Sequence, residues 1–184
     1  YPAKRRPNTG CRGRVPYGRW VPCALPDDPF ADKKYLKNIQ LHNSIKIIGG
    51  RTRQESTFKA LKILNKMNCK KVLIHDAARP NPSIKLISKI INSLNHNHAV
   101  VPLTKASDAT KRYKKKSVYK NILRDGLGFA QTPQGFTYKK IFAKHKLYEK
   151  ASFDDDSALF TVSGDKVTIV NGDKSNLKIT DKED

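Results

Sequence analysis

The chain has little of what would place it in a bilayer or staple it with covalent or metal cross-links. No run approaches the roughly 18 consecutive apolar residues of a spanning helix. The N-terminus, YPAKRRPNTGCRGRVPYGRWVP, lacks the apolar stretch of a secretory leader, so no membrane partner and a cytoplasmic location are expected. Cysteine is scarce: Cys11, Cys23 and Cys69 form an odd set without the paired short spacings of zinc or disulfide sites. The five histidines are scattered, and His96 and His98, the close pair, fall at a predicted strand start where solvent exposure explains them better than a metal does. Acidic residues are also few, 16 against 37 lysines and arginines, for a net charge of +21 in 184 residues.

That excess favours polyanions of any kind, from nucleic acid to phosphorylated small molecules. Its distribution narrows the choice. Beyond Trp20 the cations are mostly lysines spread over every predicted helix, as at Lys59, Lys62, Lys66, Lys85 and Lys89, which is how solvated faces look. The tyrosines and phenylalanines mostly fit core or arm positions rather than a stacking platform. Binding of nucleic acid is therefore expected to be nonspecific.

Residues 1–22 stand apart. Five of the ten arginines lie there with no acidic residue, and proline and glycine punctuate without apolar periodicity, so the segment reads as an irregular basic stretch outside the fold. From residue 23 the pattern alternates between strands and helices, the signature of βαβ units in a single α/β domain. VPCAL is a short strand; DPFADKKYLKNI starts a helix at Asp-Pro; SIKIIGG runs a strand into two glycines. RQESTFKALKILNKM carries Phe58, Leu61, Leu64 and Met67 at helical steps, and VLIHDAARP begins with an apolar run that predicts a buried parallel strand. Ser83 predicts an N-cap for a helix with Ile84, Ile87, Ile90, Ile91 and Leu94 on one face, leading to the strand HAVVPL. Residues 104–126 interrupt the alternation with a lysine-heavy stretch that predicts a projecting hairpin arm. After them come the turn-rich GFAQTPQGF, a helix in YKKIFAKHKLYEKA, a short helix ending at Gly164 and the strand KVTIV.

Five arginines outside the tail, Arg51, Arg53, Arg79, Arg112 and Arg124, sit at predicted loops or strand ends in a chain that otherwise uses lysine. Guanidinium suits bidentate contact with phosphate, so this selective use points to an oxyanion ligand. IIGGRTRQES has the form strand, glycine pair, helix start, where backbone N–H groups and the helix dipole favour an anion. In open α/β sheets ligands lie beyond the carboxyl ends of strands, which puts Asp76 and Arg79 of HDAARP near such a ligand and makes Asp76 a candidate Mg²⁺ ligand. The alternative for Asp76 is a turn cap. For Asp154 to Ser157, DDDS, ordinary capping of the next helix weighs slightly more than a metal or sugar contact.

Taken in order, GGRTRQES, VLIHDAARP, DATKR, LRDGLGFAQTPQGF, FDDDSAL and VTIVNGDKSNLKIT resemble the 2-C-methyl-D-erythritol 4-phosphate cytidylyltransferase family over about residues 45–184. The resemblance implies a Rossmann-like three-layer nucleotidyltransferase fold, mainly parallel in its sheet, and a homodimer formed through the β-arm. It implies transfer of CMP from CTP to the methylerythritol phosphate with Mg²⁺ as cofactor. By motif, Asp76 would hold the metal; Gly50, Arg53 and Ser56 would border the nucleotide; Lys178 would neutralise the reacting α-phosphate, with Arg79 near the phosphates. Arg124 and Thr132, with Asp108 and Lys111, would contact the polyol phosphate. The family's opening glycine-rich loop has no residue-by-residue match in GCRGRVPYGR, so the CTP loop is expected to be incomplete here. A parent fused to a downstream cyclase domain is one expectation from this; a relative inactive by itself is another. A ribitol 5-phosphate enzyme is the alternative within the nucleotidyltransferases, and a basic nucleic-acid-binding protein the alternative outside them. The reading requires Arg53, Asp76 and Lys178 to converge on one sheet edge.

Overall fold

The computed structural model describes residues 23–24, 45 and 47–180; the helix expected in DPFADKKYLKNI and the basic segment 1–22 lie outside them. Two short strands, β1 (Cys23–Ala24) and β2 (Ile47–Ile48), pair in parallel. Helix α1 (Arg53–Leu64) follows and tightens into a 3-10 turn at Asn65–Met67. Asn68, at φ 50°, then turns the chain into β3 (Lys71–Ile74).

A main sheet of five strands forms the centre. It contains β3, β4 (Ala99–Lys105), β7 (Gly128–Ala130), β8 (Gln134–Thr137) and β9 (Thr168–Asn171). β8 lies between β3 and β4 and is antiparallel to both, β7 is antiparallel to β4, and β9 runs parallel along the other edge of β4. The expectation of a mainly parallel sheet therefore fails for the described pairings. The βαβ logic survives in another form. β3 and β4, joined by α2 (Ile84–Ser93), do run the same way, but β8 is inserted between them. VLI is thus a strand of the expected direction whose hydrogen-bonded neighbour is antiparallel.

Helices cover both faces of this sheet. Along β3 the period-2 alternation of side chains sends Val72 and Ile74 to one core and Leu73 to the other. The larger core joins Phe58, Leu61 and Leu64 of α1, Tyr138 and Ile141 of α3 (Tyr138–Leu147), and Leu159 and Phe160 of α4 (Ala158–Thr161) to Phe136 of β8. The smaller core packs Leu86, Ile90 and Leu94 of the α2 segment on Val100. Ser83 caps α2 as expected, its hydroxyl accepting the Leu86 N–H at 3.2 Å. The buried stripe is set by Leu86, Ile90 and Leu94, however, and Ile84 is 67% exposed. Gly135 of β8 passes under α2 so closely that a Cβ would lie 2.4 Å from Ile90 Cγ2, so only glycine fits there.

Residues 110–122 form a separate antiparallel hairpin, β5 (Thr110–Lys114) with β6 (Ser117–Ile122), whose register shifts at Arg112/Tyr113. No helix among the described residues is long and apolar enough to cross a membrane.

Candidate active site

The carboxyl ends of β3 and β9 open on the same edge, and three segments are laced together there. His75 and Asp76 leave β3, Gln131 and Thr132 precede β8, and residues 172–179 follow β9. Thr132 Oγ1 accepts the backbone N–H of Asp76 at 3.0 Å. It lies 3.0 Å from His75 Nδ1, while His75 Nε2 lies 2.8 Å from the Arg79 carbonyl. One proton arrangement satisfies every contact: Nε2–H donates to the carbonyl, and bare Nδ1 accepts the Thr132 hydroxyl. Burial pushes the His75 imidazole below its ordinary pKa, partly opposed by the Arg79 carbonyl bond and the Asp76 charge.

The segment after β9 is held from both sides. Gln131 Nε2 donates to the Asp173 carbonyl at 2.9 Å, and its Oε1 accepts the Asp173 N–H at 2.9 Å. Asn176, fully buried, donates from Nδ2 to the Thr132 carbonyl at 2.7 Å. Arg79 Nη1 reaches the Asn176 carbonyl at 2.7 Å, and the Ile179 N–H bonds the Ala78 carbonyl at 2.8 Å. These contacts fix Lys178 over the end of β3.

Asp76 stands between two cations. Its Oδ1 is 3.5 Å from Arg53 Nε and its Oδ2 is 3.6 Å from Lys178 Nζ. The expected convergence of Arg53, Asp76 and Lys178 is what the structure has. A fourth member was not legible as such: Arg53 Nη2 also contacts Asp156 Oδ2 at 2.5 Å, and Asp156 is buried against His145 Nε2 at 2.9 Å. The DDDS stretch thus divides its labour. Asp155 Oδ1 accepts from the Ala158 N–H at 2.9 Å and from Ser157 Oγ at 2.8 Å, the expected cap, while Asp156 turns inward to Arg53. Burial works against the Arg53 charge, but Asp156 and Asp76 outweigh it and its pKa is raised.

At the start of α1 the donors satisfy one another. The Gly50 N–H bonds Ser56 Oγ at 2.8 Å, the Arg51 N–H bonds Glu55 Oε2 at 2.8 Å, and the Glu55 N–H bonds Thr52 Oγ1 at 3.1 Å. This is a reciprocal N-cap, so these N–H groups are occupied within the turn that was expected to present them to an anion. A Cβ on Gly50 would meet the Glu55 side chain at 2.4 Å, which explains the glycine by packing.

Of the residues expected around the polyol phosphate, Thr132 joins the Asp76 cluster. Lys111 lies on the hairpin, its Nζ donating to Asn121 Oδ1 at 2.7 Å. Arg124 Nη1 donates to the Ser107 carbonyl at 2.8 Å, bracing the hairpin base beside exposed Asp108. Gln131, Asn176 and His145 were not singled out from the sequence, and Asp156 was singled out only as part of DDDS, with no expectation of a contact to Arg53.

Covered on both faces by helices, with charged side chains gathered where co-directional strands end, the molecule is an α/β domain of the class that places its ligands at that edge. Comparison with known proteins makes this specific. The model of the family described as "IspD: 2-C-methyl-D-erythritol 4-phosphate cytidylyltransferase" matches residues 23–184. A bifunctional enzyme IspD/IspF of Pelagibacter ubique is 40% identical over 148 residues, covering 80% of this chain and 39% of that protein. The 2-C-methyl-D-erythritol 4-phosphate cytidylyltransferase of Neorickettsia sennetsu is 40% identical over 135 residues, 71% of this chain and 58% of that one. The crystal structure of 4-diphosphocytidyl-2C-methyl-D-erythritol synthase from Anaerococcus prevotii superposes with a TM-score of 0.75 at 35% identity, covering 90% of this chain and 74% of that one. The chain belongs to the 2-C-methyl-D-erythritol 4-phosphate cytidylyltransferase family. It spans less than two thirds of the Pelagibacter and Neorickettsia relatives.

Proposed function

We propose that this domain transfers CMP from CTP to 2-C-methyl-D-erythritol 4-phosphate, releasing pyrophosphate. The observation that carries the reading is Asp76 held between Arg53 and Lys178 at the strand-end edge. In the reaction an oxygen of the polyol phosphate bonds to the α-phosphorus of CTP, and the bond from that phosphorus to the bridging oxygen breaks, its electron pair leaving with pyrophosphate. Two anions must meet, so positioning and cations supply most of the catalysis. Lys178, 47% exposed at its side chain, neutralises the α-phosphate. Arg53 borders the nucleotide with Gly50 and Ser56, and Arg79 braces the Asn176 carbonyl beside the phosphates. Thr132, Arg124, Asp108 and Lys111 take the polyol phosphate side, with the hairpin arm of a second copy as the dimer contact. In relatives named as bifunctional, the same domain is joined to a second enzyme; a cyclase domain is the proposed neighbour here as well.

The donor set at Asp76 fits Mg²⁺. Among the described residues no three His, Cys, Asp or Glu side chains gather as a ligand set. Mg²⁺ commonly needs one or two carboxylates and fills its remaining positions with water and phosphate oxygens. Asp76 offers one hard carboxylate, 21% exposed, whose two cation contacts at 3.5 and 3.6 Å are long enough to yield to a metal. Held by Asp76, Mg²⁺ would supply positive charge to offset that of the triphosphate.

The test is Asp76→Asn, nearly isosteric, with CTP affinity measured with and without Mg²⁺ beside thermal stability. The expected result is a fold retained and Mg²⁺-dependent affinity reduced by at least about tenfold. Unchanged Mg²⁺-dependent affinity returns Asp76 to a capping role. Turnover of ribitol 5-phosphate in preference to the methylerythritol phosphate would overturn the substrate assignment.

A further inference from the structure

The charged groups of the site form a line that runs from solvent into the core: Lys178, Asp76, Arg53, Asp156, His145. Its inner end is the tightly made one. Asp156 is 1% exposed, as is His145, which stacks on Phe58 at 5.7 Å with the rings 15° apart. A carboxylate at that depth is tolerable only if paired and hydrogen-bonded. His145 Nε2 at 2.9 Å and Arg53 Nη2 at 2.5 Å supply both partners, one to each carboxylate oxygen. Facing a carboxylate, Nε2 carries the proton and donates it to Asp156, and among the described residues His145 Nδ1 has no partner to turn the ring elsewhere. The Arg53 contact with Asp76, at 3.5 Å, is beyond ordinary hydrogen-bond length.

From this gradient we infer that Asp156, oriented by His145, is the positioning residue of Arg53, and that Asp76 is not. The guanidinium is anchored from behind by a buried carboxylate. Its outer edge is thereby aimed at the strand-end site without being used up by Asp76. Arg53 keeps its place when Asp76 turns to a metal or to phosphate, and the site loses none of its geometry when ligand enters. The ligand side of this inference rests on the nucleotide reading above; the anchoring side does not.

Two measurements separate them. The first is ligand-free: the Nη2–H resonance of Arg53, the nitrogen that contacts Asp156, in the full chain, followed by proton–nitrogen correlation spectroscopy and assigned by its loss in Arg53→Lys. It is expected to be sharp and slowly exchanging in the native protein and in Asp76→Asn, and to be lost in Asp156→Asn. His145→Leu should also lose it, and His145→Gln, which keeps an N–H donor, should recover it. Persistence of the resonance in Asp156→Asn, or its loss in Asp76→Asn, overturns the inference. Should Asp156→Asn fail to fold, the His145→Leu and His145→Gln pair carries the same comparison. The second is Mg²⁺-dependent CTP affinity at a temperature where each variant is folded, expected to weaken about tenfold in His145→Leu and to recover in His145→Gln. A merely structural pair would lower the melting temperature and leave that affinity alone, which would overturn the inference. If the native chain binds no CTP, the nucleotide reading fails by itself, and the resonance comparison still decides whether Asp156 holds Arg53.

Discussion

The hydroxyl of Thr132, in the loop leading into β8, sits 3.0 Å from the backbone nitrogen of Asp76, just past the end of β3, and so fixes the residue on which the whole site turns. Thr132 is 4% exposed, and its oxygen is also within 3.0 Å of His75 Nδ1. Thr132→Val keeps the shape and removes the oxygen. A partly buried N–H and a ring nitrogen then lose their partner, at a cost of about 1 kcal/mol. Denaturant unfolding should show that loss, while Thr132→Ser should stay close to the native protein.

The same linkage makes stability depend on pH in a stated direction. The folded-state pKa of His75 lies below its ordinary value of 6.5, chiefly through burial. The unfolded chain therefore binds the proton more readily, and stability rises with pH wherever that difference operates. The contribution is complete above 6.5 and is lost as pH falls toward and through the folded value. Protonation would put a hydrogen on Nδ1 and force the Thr132 hydroxyl to give up its acceptor. Melting temperatures followed from about pH 7 to about pH 5 should fall more steeply for the native chain than for His75→Gln. Parallel curves would remove His75 from this role.

How far the sequence speaks for the site can be judged residue by residue. Lys178 was singled out only through the family resemblance, whereas Asp76 and Arg53 were visible because each lies at a strand end or helix start recognisable from local pattern. The apolar period of α1 and the Ser83 cap were visible for the same reason. The place of β8 was not. QGFT is short and contains a glycine, and nothing local says that it inserts between β3 and β4; that follows from hydrogen bonds to two strands distant in the chain. The inward turn of Asp156 was hidden in a run of three aspartates that are chemically identical until the packing of α3 places His145 beside one of them. The helix start was legible as a helix start, but which donors its own Thr52, Glu55 and Ser56 would consume depends on rotamers.

Lys178 gives the opposite balance to Thr132. Its ammonium is 3.6 Å from Asp76, and about half of its side chain is in water, so the ion pair is well screened and worth less than about 1 kcal/mol to the fold. Lys178→Met should leave the melting temperature nearly unchanged. If the cation acts on the α-phosphate, the same variant should lower kcat and kcat/KM together, since that contact strengthens only as charge develops in the transition state. A rise in KM with kcat intact would instead make Lys178 a ground-state binder of CTP.

The hairpin arm carries an apolar surface that its own two strands do not cover. Tyr113 is 73% exposed, Val118 57%, Tyr119 64% and Leu123, just past β6, 86%, and Phe129 on neighbouring β7 is 63% exposed. A two-stranded hairpin is marginal in water unless something packs on it. So large a set of exposed tyrosine and aliphatic side chains on one projection is the kind of surface that marks an interface. A second copy is the proposed occupant, because it would bring Lys111 and Arg124 of one arm toward another molecule. Tyr119→Lys combined with Leu123→Lys should shift the molecule from dimer to monomer in analytical ultracentrifugation, with the main sheet still folded, because neither residue touches the two cores. Polyol phosphate affinity should fall with the dimer. A double variant that sediments as the native chain does would leave the arm's apolar face to some other partner.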